Sequence, residues 1–233
     1  MISHVTKVIV MVGFAAASLG AGSPDHREQM RQEAASQSAK AAKAFNAIMA
    51  VPDKAIPQDL IANAKAIAVF PDVVKVAFAF GGEGGRGVVS RRVGDGWGAP
   101  VFLRAGGGSF GPQIGVSSTD LFVLLMTDES VDSLLKDRVG LGGEAGVAAG
   151  PVGRNAGAAT DARLHAAILS YSRSRGLFAG LALKGVVVTA EDDLNLAVYN
   201  KTAEELLTAS PDGQGTIESD LDAFPRALVR YTR

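Results

Sequence analysis

Apolar and polar positions change their period several times along this chain, and each change marks an element. From 25 to about 50 there is no glycine or proline, and Met30, Ala34, Ala41, Phe45, Ile48 and Met49 recur at roughly helical spacing. Pro52 and Pro57 end that helix. A short second helix follows from about Gln58 to Lys65, with Pro57 suited to its first turn. From Ala66 the period becomes two. Ile67 to Phe70 reads as a strand ending at Pro71, and Val74 to Phe80 as one ending at a glycine run. Val88 to Val93 ends at Gly94-Asp95-Gly96, a hairpin signal. Trp97 to Arg104 is the return strand, and Gly108 to Val116 is another. Leu121 to Met126 is continuously apolar, which predicts a strand buried on both faces.

Asp128 is placed to cap a helix through about Lys136, with Glu129 in its first turn. Gly140 to Gly157 is a Gly/Ala/Val run of strand and turn. Arg163 to Arg175 and Leu177 to Val188 read as a strand pair joined at Gly176. Thr189 is placed to cap a last helix, with Glu191, Asp192 and Asp193 in its first turn. From Ser210 the tail is polar, then partly helical. Helices, closely spaced strands, then helices predict an α+β fold: a curved antiparallel β-sheet or open barrel with flanking N-terminal and C-terminal helices. A doubly wound parallel sheet needs a helix between successive strands, and Ile67 to Met126 leaves no room for one.

Composition narrows the chemistry. Hydrophobic residues make up 47% of the 233, enough for a sizeable core, and the 28 glycines are not periodic, which excludes collagen. A net charge of −1 argues against nucleic acid as a partner. The absence of cysteine excludes disulfides, thiolate catalysis, Cys-type zinc sites and a lipidated cysteine. Lys7, the apolar run Val8 to Ala17 and the small residues Ser18, Gly20, Ala21 and Gly22 predict a signal peptide over 1–22, cut after Gly20 or Gly22. The run is well short of the ~20 residues that a spanning helix needs. The expectation is an exported, periplasmic or envelope-associated protein, with 23–233 forming a single domain.

The obvious motifs fail on context. Gly82-Glu83-Gly84-Gly85-Arg86-Gly87 matches G-x-G-x-x-G, but a strand rather than a helix follows, so a hairpin loop is expected and no dinucleotide cofactor. His165 has no G-x-S-x-G elbow beside it, so no catalytic residue is assigned. Glu191-Asp192-Asp193 suits a helix N-terminus better than a metal, and Asp120, Asp128 and Asp132 read as turn and cap residues. No metal or other cofactor is called for.

Ser170-Tyr171-Ser172-Arg173-Ser174-Arg175 alternates strictly, so a strand would set Tyr171, Arg173 and Arg175 on one face. Guanidinium forks bind phosphate in two-pronged fashion. Arg173 and Arg175, with Arg154 and Lys75, are the candidate headgroup ligands. The first helix has two readings. It lies on a lipid surface through Phe45 and Ile48, flanked by Lys40 and Lys43, or it packs its alanine-rich face on the domain.

Five ordered segments carry a resemblance: Ala64 to Pro71, Gly94 to Pro100, Gly108 to Val116, Ala148 to Arg154 and Ser170 to Gly180. Together they resemble the SYLF lipid-binding domain family over about residues 30–200. The resemblance implies non-enzymatic binding of membrane lipid, phosphoinositides in eukaryotic members, with actin linked to some fungal ones. With a signal peptide, the implied partner here is an anionic envelope phospholipid. The alternative is a structural module of the envelope that binds a protein partner.

Overall fold

The computed structural model describes residues 24–51, 55–78, 80–110, 115–135, 139–140, 147–151, 166–174, 177–180, 186–209 and 218–232. Helix α1 spans Pro24–Met49 and α2 Gln58–Asn63. The strands are β1 Ala66–Phe78, β2 Phe80–Val93, β3 Gly96–Trp97, β4 Val101–Phe110, β5 Gly115–Leu125, β6 Val139–Gly140, β7 Val147–Ala149, β8 Ile168–Ser174, β9 Leu177–Gly180 and β10 Val186–Ala190. Helix α3 is Asp128–Leu135, and α4 Asp192–Tyr199, α5 Ala203–Thr208 and α6 Ala223–Val229 close the chain. The strands form one curled sheet, a half-barrel in the order β6-β10-β4-β2-β1-β5-β8-β7, with β3 on β2 and β9 on β8. The α+β expectation holds. One pair departs from it, because β7 runs parallel to β8.

Where the helices cover it the sheet is buried on both faces, and the period-two pattern sorts side chains between them. Phe122 and Leu124 enter a core that also holds Phe45, Ile48, Ile61 and Phe224 from α1, α2 and α6. Leu121, Val123 and Leu125 enter a second core with Val131, Leu134, Leu206 and Leu207 from α3 and α5. This is why Leu121 to Leu125 had to be continuously apolar.

Pro71 does not end a strand. β1 runs through it with one extra residue: Val69 pairs with Val88 and Val74 with Gly84, five steps against four. The other edge agrees, with Phe70 on Leu121 and Val73 on Thr119. The result is a β-bulge, which suits a proline that has no N–H to donate, and Asp72 sits in the left-handed region at φ 51°. The bulge shifts the parity, so Phe70 and Val73 share one core.

Gly82 to Gly87 is not a loop either, because β2 runs straight through it. Packing requires two of these glycines: a Cβ on Gly87 would overlap the ring of Phe70, and one on Gly85 would crowd Val73. The segment Leu177 to Val188 splits. β9 pairs back on β8, whereas β10 crosses to β4 and β6. Two cap assignments move. Thr127, not Asp128, starts α3, its hydroxyl accepting from the Ser130 N–H at 3.2 Å. Thr189 lies in β10, and Glu191 holds the N-cap position of α4.

Candidate functional site

Most cations of the sheet are spent internally. Arg92 donates to the carbonyls of Ala64 (3.1 Å) and Ile61 (2.9 Å), satisfying the end of α2, and lies 4.3 Å from the Trp97 ring centre. Arg91 joins α3 and α5 through Asp128 (2.8 Å) and the Leu207 carbonyl. Lys75 is half-buried, 3.9 Å from Glu83.

Arg173 has a carboxylate of its own. Its Nε and Nη2 donate to Asp120 Oδ2 at 3.0 and 2.6 Å. Asp120 is buried rather than a turn residue, and its Oδ1 accepts the Asp72 N–H at 3.0 Å. Arg173 therefore fixes the carboxylate that fixes the bulge. Replacing Arg173 by alanine is expected to lower stability by roughly 1–3 kcal/mol, the scale of a part-buried charged hydrogen bond. Asp120→Asn should cost a similar amount, and the double variant should cost less than the sum. Thermal unfolding of the four proteins measures this, and additive losses would break the coupling. Tyr171, on the same face, is fully buried, and a Cβ on Gly150 would overlap its ring. Arg175 and Arg154 lie outside the described residues, as do His165 and the expected signal peptide.

The first helix packs on the domain. Phe45 and Ile48 are 0% and 1% exposed, so of the two readings of this helix the one that packs its apolar face on the domain holds. Phe45 meets Phe224 and Tyr231 edge-on, at 6.3 and 5.7 Å between ring centres. Ser38 donates to the Leu221 carbonyl (2.6 Å) and accepts the Phe224 N–H (3.1 Å), so α1 and α6 are locked together. Lys40 and Lys43 remain exposed.

An ionic cluster centred on one buried carboxylate is not visible in the acidic trio, which reads as helix-start residues alone. Arg86 on β2 and Arg104 on β4 are register partners, like charges side by side. Glu191, with its side chain 1% exposed, sits between them. It accepts from Arg86 Nε at 3.1 Å and Arg104 Nη2 at 2.9 Å, and Arg86 also pairs with Glu33 of α1. Burial pushes the Glu191 carboxyl up, but hydrogen bonds and charge from Arg86 and Arg104 together outweigh it, and the net direction is down. The same hydrogen bond and charge hold the Arg104 guanidinium above its ordinary value. The signal for this cluster was the cross-strand arginine pair, which needs a counter-charge once the register is known.

Beside this cluster, α1 and the bulge enclose a cleft of about 260 Å³ lined by Glu33, Ser36, Gln37, Lys40, Asp72 and Arg86 among others. Among the described residues, no group of three or more His, Asp or Glu could hold a metal, and no helix is long and apolar enough to cross a membrane.

The molecule is thus an α+β half-barrel with flanking helices, most of whose described sheet cations meet internal carboxylates or carbonyls. The chain belongs to the Ysc84 (SYLF) domain family: the family model described as "Ysc84: Las17-binding protein actin regulator" matches residues 106–223. It is 39% identical over 150 residues to SH3 domain-containing YSC84-like protein 1 of Rattus norvegicus, covering 64% of this chain and 44% of the relative. The human protein of that name is matched to the same extent. LAS seventeen-binding protein 3 of Saccharomyces cerevisiae is 36% identical over 162 residues, 67% of this chain and 35% of the relative. The chain thus spans less than half the length of these relatives.

Proposed function

We propose that this protein binds membrane phospholipid without catalysis, as an exported envelope protein, and that the end of the sheet makes the apolar contact. One observation carries this reading. Strand register brings three phenylalanines to one end of the half-barrel: Phe78 pairs with Phe80, and Phe80 with Phe110. The stripe of α1 is already used in the core, so the three phenylalanines at this end of the sheet are the apolar residues to test. The exposed Lys40 and Lys43 supply positive charge that would favour an anionic surface.

The test is flotation with phosphatidylglycerol vesicles. Phe80→Ser with Phe110→Ser is expected to weaken binding about tenfold or more, the scale of two aromatic side chains removed from an apolar environment. Its unfolding curve should stay close to the wild type. Undiminished binding by a folded double variant would remove the sheet end from the account. A second reading rests on the family description, which names a Las17-binding actin regulator. On that reading this chain is a protein-interaction module, and a stoichiometric protein partner with no vesicle binding would favour it.

A further inference from the structure

We propose that the cleft between α1 and the β1 bulge is a binding site for a small zwitterion, an anion and a protonated amine on one short skeleton. This goes beyond the membrane reading and shares only Lys40 with it. The leading observation is Gln37. It is 8% exposed and lines the cleft, and among the described residues neither its amide nitrogen nor its amide oxygen has a hydrogen-bond partner. Leaving such a group unpaired costs about 1–3 kcal/mol, so a buried amide of this kind normally has a partner. The cleft holds about 260 Å³, several times the roughly 30 Å³ share of one water.

The charges around Gln37 define what fits. Four titratable groups line the cleft: Glu33, Lys40, Asp72 and Arg86. Arg86 and Glu33 are paired with each other, and Arg86 also holds Glu191. That leaves Lys40, which has no ion pair among the described residues, and Asp72, whose carboxylate has only the Ser118 hydroxyl at 3.4 Å. One available cation, one available anion and a neutral amide that both donates and accepts complement a zwitterion. Its anionic group meets Lys40, its ammonium donates to Asp72, and its polar middle takes the Gln37 amide. Ser36 adds a hydroxyl to the same wall. Arg173 acts here at a distance, because through Asp120 it holds the Asp72 bulge in place.

The chemistry is shared by a free aminophosphate and by an ethanolamine lipid headgroup, and the experiment separates them. The purified protein is titrated with O-phosphoethanolamine and, separately, with phosphatidylethanolamine in phosphatidylcholine vesicles, while the Gln37 side-chain amide is followed by NMR. Saturable shifts are expected. Phosphocholine, whose quaternary ammonium cannot donate to Asp72, should bind about tenfold or more weakly, the scale of one charged hydrogen bond. Gln37→Leu, its binding followed through the backbone amides of Lys40 and Asp72, should lose binding by a similar factor, and its melting temperature should stay level or rise because an unpaired amide has gone. Saturation by the soluble compound supports a free ligand, and saturation by vesicles alone supports a headgroup. Silence of Gln37 towards both, or equal binding by Gln37→Leu, overturns the site. Phosphatidylglycerol vesicles carry no amine, so failure here is distinct from failure of the membrane reading.

Discussion

Removing Arg86 and Arg104 together, both to alanine, is expected to cost about 3–5 kcal/mol at neutral pH, the scale of a buried charge left without its partner. Glu191 cannot escape to solvent, since its side chain is 1% exposed, whereas the two arginines are 38% and 57% exposed. The loss should therefore be asymmetric. Glu191→Gln alone leaves two half-exposed arginines that water can solvate, and should cost less than the arginine pair. Adding Glu191→Gln to the arginine variant should recover much of its loss, because no buried charge then remains. The pH dependence separates the proteins further. In the wild type the Glu191 carboxyl is held below its ordinary value, so its contribution is present above the unfolded value of about 4.3 and is lost as pH falls through the folded one. Without the arginines, burial alone raises the folded value. The penalty is then largest at neutral pH and shrinks as pH falls. Chemical unfolding at pH 7 and pH 5 for the four proteins measures both effects, and an arginine variant that loses stability on acidification faster than the wild type would contradict the assignment.

Phe45→Ala is expected to cost a further few kcal/mol, about 3–5, as for other fully buried aromatic side chains cut back to a methyl. The ring is fully buried and joins α1 to α6 through Phe224 and Tyr231. Lys40→Ala and Lys43→Ala, on the exposed side of the same helix, should stay within about 0.5 kcal/mol. Denaturant melts of the three variants decide whether the face carrying Phe45 belongs to the core. A Phe45→Ala protein as stable as the wild type would return α1 to the surface.

The parts of this fold that local pattern controls were legible in the chain. Leu121 to Leu125 announced a strand buried on both faces, and each residue entered the core its parity assigned. The first two helices, bounded by prolines, fell where expected. What pattern could not give was register. A single extra residue at Pro71 and Asp72 inverts the faces of everything after it, and proline there reads equally as an end or a bulge. The glycines of β2 look like a turn because the residues they make room for, Phe70 and Val73, lie on another strand. The same gap hid the ionic cluster. Arg86, Arg104 and Glu191 are remote in sequence and meet only because β2 pairs with β4 and α4 begins beside them.

Arg173 has a structural partner that the sequence pattern did not name. Period two correctly put it on the face of Tyr171, and its guanidinium grips a carboxylate as such groups do. The carboxylate belongs to Asp120 of the same chain, so its first task is to hold the bulge. Under the proposed function, headgroup contact is assigned to exposed cations of α1, Lys40 and Lys43 among them.

The proposed binding to a phospholipid surface is tested by flotation of the wild-type protein with phosphatidylglycerol and with phosphatidylcholine vesicles, each at low and high salt. Capture by phosphatidylglycerol is expected at low salt, weakened but not abolished at high salt because an apolar contact is less sensitive to screening. Little capture by phosphatidylcholine is expected. A protein that stays at the bottom of the gradient under all four conditions would contradict it.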